Sequence, residues 1–521
     1  MRPPRPQDTL PVSLVRIVER SGATLDPGRT DPATVQVRGI THDSRAVHPD
    51  DVYAALAGQH HHGAAFASQA LAAGAVAVLT DLAGRAVVRE HNRDVPILAV
   101  ERPRRVLGRV AALVYGEPAA RLATIGVTGT NGKTTTAYLI DAALRALGTR
   151  TGLIGTVETR IGEERLRSAR TTPESPDLHA ILAVMVERGT ETVVMEVSSH
   201  ALVQGRVDGV VFDVALFTNL SQDHLDFHES MPDYFAAKAS LFTGQRSRRG
   251  VVCVDDEWGV RLAAQAGIPL VTVSSRPGTA ADWHVTAGQW PTFTLTGPRE
   301  QLSLRCHLPG TFNLVNTAMA ALALLEAGYA VPTVTAALAA EPVVPGRMER
   351  VPSGSHDPRC IVDYAHTPDA VDAALAALRP STPGRLVVVL GAGGDRDRGK
   401  RRAMGEAAGR WADDLVLTDD NPRSEDPATI RAELLAGAGA TLRGQAHPSA
   451  GSRASDIAHA VELARERGQA GDNTVVVLGK GHETGQQIGE AVHPFDDRDA
   501  LVAALRGEPY RPSDPDPGGH R

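Results

Sequence analysis

A glycine-rich segment in the first third of the chain carries the strongest chemical signal of this sequence. It runs Gly126-Val-Thr-Gly-Thr-Asn-Gly-Lys-Thr-Thr-Thr136, between an apolar run and a stretch with helical apolar spacing. Glycines let several backbone N–H groups face one anion, and a helix start adds its positive dipole end. Lys133 offers a charge for terminal phosphates, and the Thr134 hydroxyl is placed to bind Mg²⁺. The segment predicts a nucleoside triphosphate site. Val127 stands where the strict pattern has its first glycine, and a chance glycine-rich turn is the alternative.

Further reactive side chains follow two apolar runs that have the composition of buried strands. Glu196 closes one run, and a carboxylate at a strand end beside a phosphate loop can hold Mg²⁺. Residues 219–228 follow the other run and include two histidines, and Lys238 comes ten residues after the second histidine. Taken singly, each has an ordinary alternative: a polar strand end, capping or loop histidines, and a solvated lysine on a helix.

Charged loops also follow the strand-like runs of the last third of the chain. Gly391–Arg401 mixes glycines with acidic and basic residues, but it lacks the Gly-Lys-Ser/Thr of a second phosphate loop. Asp419–Arg423 and Gly479–Glu483 follow the last two strand-like runs. Paired opposite charges at strand ends suit a zwitterionic ligand, because α/β folds bind ligands at such ends. Surface salt-bridge loops are the alternative.

The elements that must position these residues alternate along the chain as strand-length apolar runs and helical stretches. This alternation predicts an α/β fold with mostly parallel sheets covered on both faces. A length of 521 residues predicts about three domains, each with its own core. The predicted units are a proline-rich, disordered extension (1–36), a small α/β domain (37–116), a central domain (117–345), a third domain (346–508) and a disordered tail (509–521).

The composition narrows the class of protein. A net charge of −7 argues against broad binding to nucleic acids or membrane surfaces. Cys253, Cys306 and Cys360 are far apart, which argues against a disulfide framework or a zinc cluster and fits a reducing compartment. The N-terminal segment has no signal-peptide pattern, and no run of about 18 apolar residues is present. We therefore expect a soluble, cytoplasmic protein.

Six motifs, taken in order, resemble those of the Mur ligases. They are Thr128-Gly-Thr-Asn-Gly-Lys-Thr-Thr135, Glu196-Val-Ser-Ser-His200, Asp223-His-Leu-Asp-x-His228, Tyr234-x-x-x-Lys238, Asp363-Tyr-Ala-His-x-Pro368 and Gly479-Lys-Gly-His-Glu483. The match covers about residues 37–508, and within the family it resembles the ligases that add the third residue of the peptidoglycan stem peptide. The resemblance implies a UDP-binding N-terminal domain, a central ATPase domain with a phosphate loop, and a C-terminal Rossmann-like domain that closes over the site.

The implied reaction is the ATP-dependent ligation of meso-2,6-diaminopimelate to UDP-N-acetylmuramoyl-L-Ala-D-Glu. ATP phosphorylates the γ-carboxylate of the D-Glu residue, and an amine then displaces phosphate from the acyl phosphate. By resemblance, the catalytic residues are Lys133, Glu196, His224 and Lys238. Thr134 and Glu196 are expected to hold one Mg²⁺ and His224 a second. Lys238 matches a family lysine that CO₂ carbamylates, which turns an amine into a carboxylate-like metal ligand.

The resemblance also implies which residues bind the two nucleotides. For ATP they are Gly129, Thr130, Asn131, Gly132, Lys133, Thr134, Asn316, Arg347, Asp363 and His366. For the UDP-linked substrate they are Ser44, Gln59, His60, His61, Thr171, Thr172, Ser198, Gln204 and Arg206. Arg170 is a departure, because some relatives have Asn before the threonine pair. Arg347 and Lys480 are expected to reach the phosphates only when the third domain closes. The run His60–His62 is not expected to bind metal, because adjacent loop side chains diverge.

For the added amino acid, the matching positions are Arg396, Asp420, Asn421, Pro422, Arg423, Gly479 and Glu483. Diaminopimelate ends in a carboxylate and an ammonium, whereas L-lysine, the other amino acid used in the family, ends in an ammonium alone. Arg423 offers a two-pronged donor for the extra carboxylate, and Asp420 and Glu483 can accept the ammonium. The sequence therefore points to diaminopimelate. The alternatives are a lysine-adding ligase, another amide ligase such as a folylpolyglutamate synthase, and a non-catalytic nucleotide-binding scaffold.

Overall fold

An eleven-stranded sheet forms the middle of the chain, a five-stranded sheet precedes it in sequence, and a six-stranded sheet follows it. This computed structural model describes residues 4–512 except residues 59, 341, 396, 440, 467 and 468. Most strand pairs in the three sheets are parallel, and helices cover the sheets. The predicted α/β class with three domains is confirmed, whereas the inner domain limits stay predictions.

The central sheet has seven parallel strands, with two antiparallel strands added at each edge. Because both faces are covered, the inner strands are almost continuous apolar runs. From edge to edge the strands are Glu164–Arg167, Glu158–Ile161, Thr151–Ile154, Thr192–Glu196, Ala123–Thr128, Phe212–Phe217, Ser247–Cys253, Leu270–Ser274, Trp283–Ala287, Thr292–Thr296 and Gln301–Arg305.

Two layers of helices bury the faces of this sheet in separate apolar cores. One layer is formed by helices Lys133–Ala146, Thr311–Glu326 and Val331–Ala337. The other is formed by helices Ser175–Glu187, Ser199–Val203, Met231–Ala239 and Glu257–Gln265. The phosphate-loop helix therefore lies in the first layer, and the helix that carries Lys238 lies in the second.

The N-terminal sheet has four parallel strands and one antiparallel edge strand. Its order is Thr24–Asp26, Ile97–Ala99, Ala77–Thr80, Asp51–Ala54 and Gly39–Thr41. The helices are Leu14–Ser21, Ala67–Ala72, Leu82–His91 and Pro103–Val114. The last of these packs against helix Ser175–Glu187, and so joins this domain to the central one.

The predicted disordered extension over residues 1–36 is wrong for its described part, residues 4–36. Strand Val12–Ser13 pairs with Gln36–Val37, and strand Thr24–Asp26 forms the edge of the five-stranded sheet. Leu14 and Ile17 of the first helix are fully buried in the N-terminal core. The prediction of disorder rested on the proline content. It overlooked these apolar positions three residues apart, which form the buried face of a short helix.

The C-terminal sheet has one antiparallel edge strand and five strands paired in parallel. Its order is Glu349–Val351, Arg359–Asp363, Thr474–Leu478, Leu386–Leu390, Asp414–Leu417 and Gln445–His447. Helices Pro368–Leu378, Lys400–Trp411, Pro427–Ala438, Arg453–Glu466 and Asp497–Arg506 cover it. A separate antiparallel hairpin joins Gly485–Ile488 to Ala491–Pro494.

The predicted disordered tail over residues 509–521 is wrong at its start. The ring of Tyr510 lies 4.9 Å from the ring of Phe495, and its hydroxyl accepts a hydrogen bond of 3.1 Å from the Asp496 amide. The third domain therefore continues beyond residue 508, and residues 513–521 lie outside the described residues. Within the described part of the chain, no helix has the length and apolarity needed to cross a membrane.

Truncation of the first helix's buried face tests whether residues 4–36 belong to the N-terminal core. We expect Ile17→Ala to lower the stability of this domain by about 2–5 kcal/mol, because it removes buried methyl groups and leaves a cavity. Hydrogen exchange of strands Asp51–Ala54 and Ala77–Thr80 measures this locally. Val15→Ala on the exposed face is the control, with an expected change within about 0.5 kcal/mol. Equal protection in both variants would contradict the assignment.

Candidate functional site

The glycine-rich segment forms a tight turn at the carboxyl end of strand Ala123–Thr128, and helix Lys133–Ala146 begins directly after it. Gly129 and Gly132 have φ angles of 144° and 85°, which side-chain-bearing residues rarely adopt. A Cβ added to Gly129 would lie 1.9 Å from the Thr218 hydroxyl, and one added to Gly132 would lie 2.6 Å from Oδ1 of Asn316. The loop at Thr218 and the helix that carries Asn316 therefore close around a backbone that only glycine can provide.

Two lysines converge on one carbonyl of this turn. Nζ of Lys133 donates to the carbonyls of Gly129 and Thr130 at 3.0 and 2.8 Å. Nζ of Lys238 donates to the same Gly129 carbonyl at 2.7 Å, and its side chain is almost completely buried. Burial, and then the charge of Lys133, lowers the pKa of Lys238 well below its usual value. The turn therefore combines a strong positive potential with an amine that loses its proton easily.

Glu196 is buried at the end of the neighbouring strand and is held by two threonines. Parallel pairing sets Glu196 beside Val127 at the base of the turn. The Thr134 hydroxyl lies 3.0 Å from each carboxylate oxygen, and Thr156 donates its amide at 2.8 Å and its hydroxyl at 2.9 Å. These bonds fix the carboxylate next to the first turn of the phosphate-loop helix.

The side-chain oxygens of Glu196 and Thr134 suit a Mg²⁺ ion that is also bound to phosphate oxygens. Mg²⁺ prefers oxygen ligands, and it usually binds through one or two carboxylates plus phosphate oxygens and water. Glu196 and Thr134 supply one carboxylate and one hydroxyl in contact with each other. Among the described residues, no group of three or more His, Cys, Asp or Glu side chains surrounds a single metal position. Glu196 and Thr134 would provide part of the coordination sphere, and phosphate oxygens and water the rest.

His224 lies on the loop that follows strand Phe212–Phe217, with a left-handed backbone at φ 55°. Its ring is edge-on to the ring of His200 at 4.9 Å, and its Nε2 lies 3.4 Å from a carboxylate oxygen of Asp223. Burial lowers the pKa of His224 below its usual value, although Asp223 opposes this shift. The imidazole is therefore neutral near pH 7, which is the form that binds a cation.

The third domain contributes Arg347, Asp363 and His366 to the same cavity. Arg347 donates to the Thr134 hydroxyl at 3.3 Å, and its guanidinium lies 4.2 Å from the centre of the Tyr364 ring. Asp363 accepts the amides of Met348 and Ala365 at 2.7 and 2.8 Å. The cavity has a volume of about 640 Å³, and its lining includes Thr130, Asn131, Gly132, Lys133, Thr134, Glu196, His224, Lys238, Asn316, Arg347, Asp363 and His366. The structure thus brings nearly all predicted ATP and metal residues together.

A second group of predicted residues begins at the edge of this cavity. Thr171 shares a hydrogen bond of 3.0 Å with Thr156, and Ser198 donates its amide to the Thr172 hydroxyl at 3.1 Å. Arg206 extends this group, because it donates to the Thr172 carbonyl at 3.2 Å and to the Gln204 side chain at 2.7 Å. Five of the residues predicted for the UDP-linked substrate therefore form one connected group.

The remaining residues of that prediction belong to the N-terminal domain. The Ser44 hydroxyl donates to the Gln69 side chain at 3.2 Å, His60 and His61 are exposed, and Gln59 lies outside the described residues. His62 accepts the Ala64 amide at 3.0 Å and contacts Asp81 at 3.1 Å, so it caps a turn.

The residues predicted for the added amino acid gather at the carboxyl edge of the third sheet. Asn421 donates to a carboxylate oxygen of Glu483 at 2.9 Å, and Arg423 donates to the Gly394 carbonyl at 2.6 Å. Pro422 lies buried between these two residues. A Cβ on Gly479 would lie 2.4 Å from a carboxylate oxygen of Asp420, so that glycine permits a close approach. Arg396 lies outside the described residues.

Lys480, predicted to reach the phosphates when the third domain closes, lies here among residues of its own domain. It is fully buried, and its ammonium donates to Gly485 at 2.5 Å, to Glu483 at 3.1 Å and to Asn421 at 3.3 Å. All three acceptors belong to the third domain. They satisfy the buried ammonium, which needs nearby oxygens whether or not a ligand is bound. The structure therefore places Lys480 in the pocket around Asn421 instead of at the phosphate loop.

Sequence reasoning missed Thr156, Glu174 and Tyr364. Thr156 holds Glu196, and Tyr364 stacks under Arg347. Glu174 accepts Arg104 of the N-terminal domain at 2.8 Å and lies 3.0 Å from Arg206. Thr156 comes two residues after strand Thr151–Ile154, so the rule that parallel strands end at one edge could have found it. Nothing local in the sequence indicates the pairing of Glu174 with two distant arginines.

Comparison with known families matches three models along the chain. Residues 36–115 match "Mur ligase family, catalytic domain", residues 127–324 match "Mur ligase middle domain", and residues 346–481 match "Mur ligase, glutamate ligase domain". Together they cover most of the three sheets.

Curated relatives align over nearly the whole chain. A protein from Streptomyces avermitilis named UDP-N-acetylmuramoyl-L-alanyl-D-glutamate--2,6-diaminopimelate ligase is 52% identical, over 97% of this chain and 98% of its own. One of the same name from Corynebacterium glutamicum is 46% identical, over 88% and 89%. A UDP-N-acetylmuramyl-tripeptide synthetase from Leifsonia xyli subsp. xyli is 44% identical, over 96% and 97%.

Solved structures share the three-domain fold. A UDP-N-acetylmuramoyl-L-alanyl-D-glutamate--2,6-diaminopimelate ligase has a TM-score of 0.65 at 29% identity, covering 96% of this chain and 99% of its own. The MurF ligase from Thermotoga maritima in complex with ADP has a TM-score of 0.61 at 17% identity, covering 91% and 98%. At that identity, the second likeness concerns the fold alone.

Two glycines at opposite ends of one helix allow a matched test of the turn. We expect Gly129→Ala to weaken ADP binding on the order of 10- to 100-fold, because a Cβ collides with Thr218 and the backbone is strained. Gly148→Ala is the control: its φ is 80°, but no atom lies within 4 Å of an added Cβ. Isothermal titration calorimetry measures both affinities. Similar affinities in the two variants would show that the turn does not bind the nucleotide.

Proposed function

The chain belongs to the Mur ligase family, and we propose that it joins meso-2,6-diaminopimelate to UDP-N-acetylmuramoyl-L-Ala-D-Glu at the expense of ATP, in cytoplasmic synthesis of peptidoglycan precursors. The observation that carries this proposal is that one chain contains two sites, of which one suits the phosphates of ATP and the other suits the added amino acid. One is a phosphate cavity with two lysines around Gly129, and the other is a pocket whose predicted residues include Arg423, Asp420 and Glu483. The relatives named above catalyse the reaction that these sites suit.

The first chemical step brings two anions together. A γ-carboxylate oxygen of the D-Glu residue attacks the γ-phosphorus of ATP, the bond to the bridging oxygen breaks, and ADP leaves. Lys133, Arg347 and the start of helix Lys133–Ala146 offset the negative charge that this approach concentrates. Bound Mg²⁺ would neutralise further phosphate charge, held by Glu196 and Thr134, with His224 as candidate ligand of a second ion.

The second step forms the amide. The amine of diaminopimelate attacks the acyl carbon, and the tetrahedral adduct then loses phosphate and a proton. The same cations that assisted the transfer now stabilise the departing phosphate. Closure of the third domain against the central one keeps water from the acyl phosphate, and Arg347 already reaches across to Thr134.

Lys238 is proposed to act as a carbamate. The ammonium first loses one proton; the neutral amine then attacks CO₂, a C–N bond forms, the electrons of one C=O π bond become a carboxylate charge, and a second proton is released, so a cation becomes an anion. Burial and the neighbouring charge of Lys133 support this step, because both lower the pKa of the amine. A carbamate at this position removes the repulsion between two ammonium groups and adds an oxygen ligand for a cation.

The pocket around Arg423 supports diaminopimelate over lysine. Its guanidinium matches the distal carboxylate, and Asp420 and Glu483 match the ammonium. A lysine-adding ligase would leave Arg423 without an anion. A folylpolyglutamate synthase needs no such pocket, and a non-catalytic scaffold needs neither Glu196 nor Lys238. One assay separates these functions: release of ADP from ATP must require both the UDP-linked dipeptide and diaminopimelate.

Replacement of Lys238 tests the proposed carbamate. We expect Lys238→Ala and Lys238→Arg to lose at least about 100-fold in kcat, because neither side chain can carry the added carboxylate. Formate or acetate should partly restore Lys238→Ala, whereas Lys238→Arg should stay inactive. With ¹³C-labelled bicarbonate, the unaltered chain should show a carbamate resonance that both variants lack. Near-normal activity in Lys238→Ala would contradict this role.

The choice of amine gives an independent prediction. An Arg423 left without its anion in the pocket costs about 2–5 kcal/mol, so kcat/KM for diaminopimelate should exceed that for L-lysine by roughly 30- to several-thousand-fold. Competition kinetics with the two amines measure the ratio. Arg423→Ala should reduce it toward one while leaving the KM for ATP nearly unchanged. A preference for lysine would refute the pocket assignment.

A further inference from the structure

The loop that follows strand Leu386–Leu390 lies against the segment that carries Arg423. A Cβ added to Gly394 would lie 1.9 Å from the Pro422 carbonyl, and one added to Gly393 would lie 3.0 Å from Nη1 of Arg423. The Gly394 amide donates to the Asn421 carbonyl at 2.9 Å. The loop and the segment are therefore held at backbone contact.

Arg423 is fixed at both its backbone and its side chain. Its amide donates to the Gln487 carbonyl at 3.1 Å, and its own carbonyl accepts the Gly489 amide at 2.7 Å. Its φ is 53°, an unfavourable angle for a residue with a side chain. The guanidinium donates through Nη1 to the Gly394 carbonyl at 2.6 Å. The direction of the guanidinium thus depends on where the glycine loop lies.

Arg401 forms hydrogen bonds with both the glycine loop and the segment that carries Arg423. It lies on helix Lys400–Trp411 with 1% of its side chain exposed. It donates to the Gly393 carbonyl at 3.1 Å, to both oxygens of Glu425 at 2.8 and 3.1 Å, and to Glu433 at 2.9 Å. One buried guanidinium therefore joins the glycine loop to a residue two positions after Arg423.

Glu425 continues this connection back to the loop. One of its carboxylate oxygens accepts the Asp395 amide at 2.6 Å, and Asp395 in turn accepts the hydroxyl and the amide of Ser424 at 2.8 and 3.1 Å. The hydrogen bond from Arg401 is the main cause that lowers the pKa of Glu425 to about 2. The carboxylate stays charged at any physiological pH.

We propose that Arg401 is a positioning residue for amino-acid selection: it holds the Gly393–Gly394 turn and the segment Arg423–Glu425 in one geometry, which aims the Arg423 guanidinium into the pocket. This inference rests on the proposed function, because it assumes that Arg423 binds the distal carboxylate. Arg401 itself is buried, so it acts through the loop that it anchors and not by contact with the ligand.

Loss of the buried charge should affect selection more than general catalysis. In the full-length chain, we expect Arg401→Met to lower kcat/KM for diaminopimelate on the order of 30-fold, with little change for L-lysine, so the ratio between the two amines falls by the same factor. The KM for ATP should change less than about threefold, because the phosphate loop lies on another sheet. A merely destabilised protein would lose activity with both amines equally.

Two further variants make the test decisive. Glu425→Gln should lower the same ratio, and it decides the question if Arg401→Met fails to fold. Glu433→Gln is the matched control, because it removes the charge of the more exposed carboxylate partner of Arg401 but leaves the bonds to Gly393 and Glu425. The expected ratio for this control equals that of the unaltered chain.

The outcomes separate the two proposals. A preference of the unaltered chain for lysine overturns the function proposed above. A preference for diaminopimelate that persists unchanged in folded Arg401→Met, or in Glu425→Gln, overturns the positioning role alone. A ratio that falls in both variants and stays constant in Glu433→Gln supports it.

Discussion

Parallel pairing at the middle of the eleven-stranded sheet is the constraint on which the rest of the site depends. It sets Glu196 beside Val127 and Phe217 beside Thr128, so three strands end at the same edge of the sheet. The glycine turn, the buried acid and the loop with His224 meet there because their strands end together. A shift of one residue in this register would turn Glu196 to the opposite face of the sheet. The apolar residues of the two faces pack against different helices, so such a shift would also separate them from their packing partners.

The site that results has an unusual balance of charge. Two ammonium groups share the Gly129 carbonyl, while Thr134 and Thr156 satisfy the Glu196 carboxylate. Burial, and then the neighbouring charge of Lys133, lowers the pKa of Lys238. In the proposed reaction this favours the carbamate on Lys238, and Lys133 supplies positive charge for the phosphates.

In the proposed reaction, separate sheets carry activation and selection. The phosphate turn belongs to the central sheet, and the pocket around Arg423 belongs to the third. Arg347 and Lys400 reach across to Thr134 and Asp223, whereas Lys480 stays with Glu483 and Gly485 in its own domain. Each site can thus be rigid by itself, and movement between the domains can assemble or open the whole.

The sequence by itself determined the α/β class, the phosphate turn and most residues around it, because these signals are local. Glycines at restricted backbone angles, a lysine and threonine at a helix start, and acids at strand ends each follow from a few neighbouring residues. The folding of residues 4–36, the Thr156 contact with Glu196, the direction of Lys480 and the bridge made by Arg401 were decided only by the tertiary structure. Most of these residues have partners far along the chain, and Lys480 has nearby partners as well. In every case, the need to bury apolar faces and to satisfy buried charges selects the partner, and only the packed fold shows which one is within reach.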